Sequence, residues 1–488
     1  MSDIALDTKE KTEEPIIITK IKKKILDGIS KFWMNPEARI IFLLVCIRLV
    51  FILFTHWGMD FDFYIKVSEN IVSGQQLYTD FDSTHMPLVD LIYLAMYVIC
   101  PWKGEIIALR FFMKLPFLLT DIGIAISVMK IIEFEKKRNL ANPDVITEKE
   151  QKSILKAKLI AGYFVAFSLP LIFQTGGGRY DSLMIFCFTM VIFYLQRKNW
   201  FGVAFFAALG TSAKYIGIIF LPFVFFWMRK TDYKYFFFGL LLGFLPIYPF
   251  LITRPEAFIN TILNRGSHIA YGFSIWHGIY IIWNNFAMKY VDSIEATYDG
   301  SDEPWFVSDL SIPFFIVIYS LIFVFYIIKW WSTMRNETID QQSLSTHISL
   351  VFIPLFIFAL TFKAINIQVL AWFVPYIALK SKLDLTLEYT FLTLLNGVGL
   401  VFFTAFNTAI FADLSLGAAG EGSLFDVLLI QPALYITEHT SETVWVAVVF
   451  VSIIWFLIRT TAEFIFCTKD LFSVELNQYS KVKTIIEV

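Results

Sequence analysis

Pro87-Leu-Val-Asp-Leu-Ile-Tyr-Leu-Ala-Met-Tyr-Val-Ile-Cys100 is apolar almost throughout, and whether it crosses a bilayer decides the topology of everything after it. The run has about 14 residues, whereas a helix crossing the hydrocarbon core needs roughly 20. Charge argues the same way. If the run crossed, the basic segment from Glu133-Phe-Glu-Lys136-Lys137-Arg138 to Lys158, and Arg229-Lys230 after it, would face outward. Lys and Arg near span ends belong on the cytosolic side. The run is therefore read as a helix in the outer interface, part of one long first external loop.

Composition demands a membrane in the first place. Of 488 residues, 57% are hydrophobic and 53 are Phe. A soluble chain holds roughly 45–50% apolar residues, so the surplus must face lipid. The net charge of −2 and the lack of a basic aromatic stripe give no sign of a nucleic-acid partner. Cys46, Cys100, Cys187 and Cys467 stand in or beside apolar runs without metal-ligand spacing, which predicts inert thiols rather than zinc ligands or disulfides.

With 86–100 set aside, apolar runs at 40–57, 108–132, 158–173, 182–196, 200–212, 214–228, 236–252, 308–330, 348–362, 368–379, 388–410 and 443–465 predict an all-α polytopic membrane protein of about 12 transmembrane helices. Both ends are then cytosolic. Arg197-Lys198, Lys329, Arg335, Lys380 and Lys382 fall inside, while the acidic stretches Asp292–Asp309 and Asp413–Glu442 fall outside. Several runs are shorter than a bilayer, which predicts tilted, broken or re-entrant pieces. Residues 1–36, with Lys20 and Lys22–Lys24, read as a polar cytosolic arm rather than a cleavable signal. Residues 37–380 form a membrane module with external loops 58–107 and 253–307, and 381–488 hold the C-terminal helices and a cytosolic tail.

Polar chemistry collects on the external side of this plan. The first loop opens with Gly58-Met-Asp60-Phe-Asp62-Phe-Tyr64 and continues to Tyr78-Thr-Asp80-Phe-Asp82-Ser-Thr-His85-Met-Pro87. Later external ends add Gln174, Arg179, Tyr180, Asp181, Lys214, Arg265, His268, Lys363 and Gln368. Ionisable groups at a membrane boundary are costly, so a cluster of them reads as a candidate functional site or, more plainly, as a wet surface loop where acidic residues are common. Arg110 and Asp121, eleven residues apart on one predicted span, share a face, with Lys114 one turn below Arg110. Either a phosphate or a neighbouring helix could be the partner of that pair. Gln174-Thr-Gly-Gly-Gly-Arg179-Tyr180-Asp181 reads as an anion cradle of backbone amides or, equally, as a tight turn.

These stretches resemble the GT-C glycosyltransferases, polytopic enzymes that use polyprenyl-phosphate-linked sugars. Asp60 followed four residues later by Tyr64 is similar to the family's first-loop acidic motif. Gly74-Gln-Gln-Leu-Tyr78-Thr-Asp80-Phe and His85-Met-Pro87-Leu88 resemble the stretch leading into its interfacial helix, with Met86 in place of the first Pro of the usual pair. Arg110 with Asp121, Gln174 with Tyr180-Asp181, Ala213-Lys214-Tyr215, and Lys363, Gln368, Trp372 and Pro375 resemble its later patterns. The resemblance covers about residues 40–380 and no soluble C-terminal domain or Trp-Trp-Asp-Tyr-Gly motif accompanies it, which argues against an oligosaccharyltransferase.

The resemblance implies inverting transfer of a hexose, mannose favoured, from a polyprenyl- or dolichyl-phosphate carrier to a lipid-linked glycan or another acceptor such as protein. The site would lie on the external or lumenal face of a prokaryotic plasma membrane or the endoplasmic reticulum. Asp60 is the expected general base, with Asp62 beside it; Asp80, His85, Arg110, Arg179, Tyr180, Asp181, Lys214, Arg265, His268, Lys363 and Gln368 are the expected substrate contacts. No metal or cofactor is implied, although Asp60 and Asp62 in an Asp-x-Asp pair could hold a divalent cation. Two competing readings are a secondary transporter, suggested by the number of spans and their short broken pieces, and a flippase or scaffold for polyprenyl lipids that needs no base.

Overall fold

The computed structural model describes residues 33–54, 58–81, 83, 85–140, 145–228, 230–264, 271–276, 278–279, 305–329, 331, 343–362, 364–365, 368–393 and 442–472. These are helical, apart from loops and one parallel pairing of β1 (Tyr271–Gly272) with β2 (Ala364–Ile365). Helices α1 (Pro36–Phe54), α2 (Gly58–Val72), α3 (Pro87–Ile99) and α4 (Ile106–Arg138) come first. They are followed by α5 (Glu148–Ala166), α6 (Leu169–Gly176), α7 (Asp181–Leu195) and α8 (Trp200–Ala213).

Among the described residues, four helices are long and apolar enough to cross a membrane: α4, most of α13 (Trp305–Lys329), α14 (Leu344–Thr361), and Phe450–Leu471 within α17 (Glu442–Phe472). The pair α5 and α6, bent by 49° at Phe167-Ser168, is a fifth if taken as one broken span. Together with the apolar surplus this makes a helical, membrane-embedded chain. Helix α1 has 19 residues but carries Glu37, Arg39 and Arg48, run 388–410 lies outside the described residues from 394 on, and the remaining apolar runs are shorter or interrupted. Run 214–228 is a 3-10 turn (Tyr215–Phe220) joined to α9 (Leu221–Phe225). Run 236–252 divides into α10 (Tyr233–Gly243) and α11 (Tyr248–Thr253), ahead of α12 (Pro255–Asn264). Run 368–379 divides into α15 (Gln368–Trp372) and α16 (Val374–Lys380). The decisive stretch is α3, 13 residues and so about 20 Å long, short of a bilayer core of about 30 Å, and it packs on α2, α4 and α8.

Breaks inside a membrane free backbone carbonyls, and an unpaired one costs several kcal/mol in hydrocarbon. Here neighbouring helices supply the donors. Arg48 of α1 reaches the end of α5, donating to Ala166 O at 2.9 Å and Val165 O at 3.0 Å. Its Nε lies 2.6 Å from Asp121, which also accepts from Thr175 of α6 at 2.7 Å. Tyr319 and Tyr326 of α13 donate to Ile219 O and Phe223 O at 2.5 and 2.7 Å. Asp121 thus serves α1 and the α5–α6 break, while Arg110, on the same face of α4, binds Asp62.

The helix ends sort into two groups. At one, Lys158 binds Glu133 at 2.7 Å and Glu37 at 2.5 Å, Glu135 accepts from Gln196 and Leu344 N at 3.4 Å, and Lys380 reaches Ser345 at 2.8 Å. The other gathers the starts of α2, α4 and α7 and the ends of α6, α8 and α14. Gly239 and Gly243, one turn apart, bring α10 against α8, because a Cβ at either would overlap the carbonyl oxygen of Phe201 or Phe205. Helix α17 packs on α14, so residues beyond 380 join the same bundle. All four cysteines are free thiols, and Cys100, Cys187 and Cys467 are buried.

Candidate functional site

Helix α2 begins at Gly58, so Asp60 stands in its first turn rather than in an irregular loop. At roughly 100° per residue, positions 60 and 64 share a face while 60 and 62 lie on different sides. That spacing suits an Asp and a Tyr acting together. It does not suit two carboxylates closing on one cation. Asp62, 47% exposed, instead accepts from Arg110 at 2.8 Å, and Arg110 is itself largely covered.

Tyr64 anchors an aromatic cluster on the Asp60 face. Its ring stacks on Tyr93 at 4.1 Å and its hydroxyl lies 3.2 Å from His85 Nε2. The His85 ring meets Tyr180 edge-on at 5.1 Å. The loop carrying His85 is held from outside the site. Tyr78, at φ 66°, donates its hydroxyl to His85 O at 2.7 Å and packs on Phe250 and Phe258. Arg254 grips the same loop through Leu77 O at 2.7 Å and Gln76 Oε1 at 2.6 Å. Asp80 turns onto its own loop, accepting from Gln76 N at 2.7 Å, where it closes a turn. Asp90, in the first turn of α3, is buried with Oδ2 3.4 Å from the Tyr78 hydroxyl. Its signal in the sequence was a single carboxylate inside an apolar run.

The triple glycine resolves as the tight turn. The amides of Gly177, Gly178 and Arg179 bond Phe173 O, Thr175 O and Gln174 O at 2.8–3.1 Å, closing the end of α6, so they are not turned toward an anion. Gly178 has φ 74°, and a Cβ there would overlap the Phe61 ring; Tyr93 donates to its carbonyl. The glycines let α2 and α3 seat directly on backbone. Arg179 is half-buried just beyond this turn.

A further polar cluster lies between α7, α8 and α15. Asp181, the first residue of α7, is 0% exposed. It accepts from Lys214 Nζ at 2.7 Å and from Trp372 Nε1 at 2.8 Å. Lys214 follows α8 directly and also lies 3.4 Å from Gln368 Oε1. The rings of Tyr180 and Trp372 stand 5.4 and 4.8 Å from its ammonium, within cation–π range. An ammonium has three donors, and Asp181 and Gln368 accept from two of them. Tyr180 links this pocket to His85 and Tyr64.

The structure thus brings together Asp62 with Arg110, His85 with Tyr180, and Asp181 with Lys214 and Gln368. Arg265, His268 and Lys363 lie outside the described residues, as does Asp82. The β1–β2 pairing, Tyr271 with Ala364 and Gly272 with Ile365, does bring the chain after His268 beside the chain after Lys363. No protein-family model and no curated protein matches this sequence, so the site rests on its own geometry.

Proposed function

We propose that this chain is a GT-C-type glycosyltransferase of about 12 crossings, moving a hexose from a polyprenyl- or dolichyl-phosphate carrier to a glycan or other acceptor. The observation that carries the reading is the Lys214 ammonium, fixed 2.7 Å from buried Asp181 between two aromatic rings. It lies at the same end of the bundle as Asp60 and Arg110. Transfer from an anomeric phosphate needs a base for the acceptor hydroxyl and cationic or dipolar stabilisation of the departing phosphate.

In this reading Lys214 and Arg110 face the phosphate, with Asp181 and Asp62 positioning them. Asp60 takes the acceptor proton, and the Tyr64–His85–Tyr180 cluster lines the space between. Membrane embedding follows from the carrier, whose hydrocarbon tail stays in the bilayer. A transporter would use a mid-span charge such as Arg48, but that guanidinium already serves Asp121, Ala166 and Val165. The test is transfer of label from a radiolabelled polyprenyl-phosphate sugar by the purified protein in detergent. Turnover that is lost in Lys214→Met supports the reading. No transfer by the wild-type protein from any hexose carrier, in the presence of membrane-extracted acceptors, removes it.

A further inference from the structure

Neither the phosphate contacts nor the base accounts for Lys114, which stands one turn below Arg110 on α4 and is only 1% exposed. Its Nζ donates to Ile52 O at 3.1 Å and lies 5.5 Å from the centre of the Phe61 ring, within cation–π range. The turn at Gly178 closes over its stem, since a Cβ on that glycine would stand 3.3 Å from Lys114 Cε. An ammonium enclosed in this way does not reach a phosphate, and taking it out of water is costly. What it secures is the end of α1. Ile52 lies in the last turn of that helix, where carbonyls lack a helical donor and the helix dipole favours a cation.

Ile52 and Phe61 flank the connection from α1 to α2, and Asp60 comes immediately before Phe61. Helix α4 grips the start of α2 twice. Arg110 holds Asp62 at 2.8 Å, and one turn deeper Lys114 sits against the fully buried Phe61. Two successive residues of α2 are thus fixed by two cations on α4, which leaves the residue ahead of them little freedom to tilt. A general base needs that constraint, because a displacement of about 1 Å at the reacting group can cost 10²-fold in rate.

We propose that Lys114 is a positioning residue for Asp60: by joining the last turn of α1 to the first turn of α2, it sets where the backbone of the base stands. The catalytic half of this inference rests on the glycosyltransferase reading, whereas the joint between the helices does not.

Hydrogen exchange and transfer kinetics on the full-length protein in detergent test the two halves separately. Lys114→Met keeps an unbranched apolar stem and removes the ammonium. The peptide covering residues 58–66 should then exchange about tenfold faster, the equivalent of one lost hydrogen bond from a charged donor, while residues 181–195 stay as they were. Transfer should lose about 10²-fold in kcat, with KM for the carrier changed by no more than about twofold. Phe61→Leu leaves the bond to Ile52 O in place but removes the ring face. It should show the same pattern, and the double variant should lose little more than either single one. If Lys114→Met does not fold, Phe61→Leu alone is read by the same two measurements. Unchanged exchange over 58–66 in the folded variant overturns the proposal whether or not the protein transfers sugar. So does a loss that falls on KM with kcat intact, or single losses that multiply in the double variant. A wild-type protein that transfers nothing removes the glycosyltransferase reading, and exchange alone then decides the joint.

Discussion

Lys214 and Asp181 are 33 residues apart in sequence and 2.7 Å apart in space, with the carboxylate fully buried. A buried ion pair contributes little net stability, but removing one partner strands the other charge at a cost of about 3–5 kcal/mol. Lys214→Met should therefore lower the unfolding midpoint markedly, while Lys214→Met with Asp181→Asn recovers most of it. Trp372 can still donate to the Asn side-chain oxygen. Transfer should stay absent in both. Thermal unfolding in detergent beside the transfer assay separates the two effects, and a double variant that regains activity would mean the ammonium does not serve the reaction.

Asp60→Asn should reduce transfer by about 10²–10⁴-fold, the usual contribution of a general base, with donor binding retained. Asp62→Asn weakens the hold on Arg110 and should act chiefly by raising the KM for the carrier. Because positions 60 and 62 lie on different sides of α2, chelator should leave the rate unchanged. Near-normal turnover in Asp60→Asn would move the base to another residue.

Lys103 follows α3 in the turn before α4, with its ammonium 5.1 Å from the Tyr97 ring. If α3 lies in the interface, a cysteine at position 103 should react with an impermeant reagent applied from the face that bears the site. Reaction from the opposite face alone would make α3 a crossing and invert every helix after it.

Gly178→Ala should destabilise the protein by about 1–3 kcal/mol, since the new methyl needs the space of the Phe61 ring as well as a positive φ. Gly74→Ala shares the positive φ but meets open space, so its cost should be smaller. Equal losses in the two would assign the effect at Gly178 to backbone strain alone.

Membrane character and the shortness of 87–100 were legible because both rest on hydropathy and length, which depend on each residue singly. The pairing of helices was not. Arg110 and Asp121 do share a helix face by periodicity, but their partners, Asp62 and Arg48, are chosen by which helices pack alongside. The three glycines permitted either a cradle or a turn, and only the position of Phe61 and the end of α6 decided it. His85, Tyr180, Asp181, Lys214 and Gln368 were found as members of a polar end, without their order of contact. Trp372 stood in a family-like pattern, yet its bond to Asp181 needed α15 to be placed beside α7. Asp80 and Asp90 show the remaining limit: a carboxylate reads alike whether it closes a turn or lies buried beside a tyrosine.

The two helix breaks differ in when, during synthesis, their donors exist. The carbonyls freed at Val165 and Ala166 are met by Arg48, about 118 residues earlier in the chain, which has already emerged when the break is made. Those of Ile219 and Phe223 are met by Tyr319 and Tyr326, which follow them by 100 and 103 residues. A ribosome feeding this chain into a membrane thus releases the second break well before its partner. The segment from Tyr215 to Phe225 must keep to water, to the insertion machinery or to an incomplete bundle until α13 arrives. The N-terminal half of the bundle can close as it is made, whereas this part of the wall is completed only by its later helices.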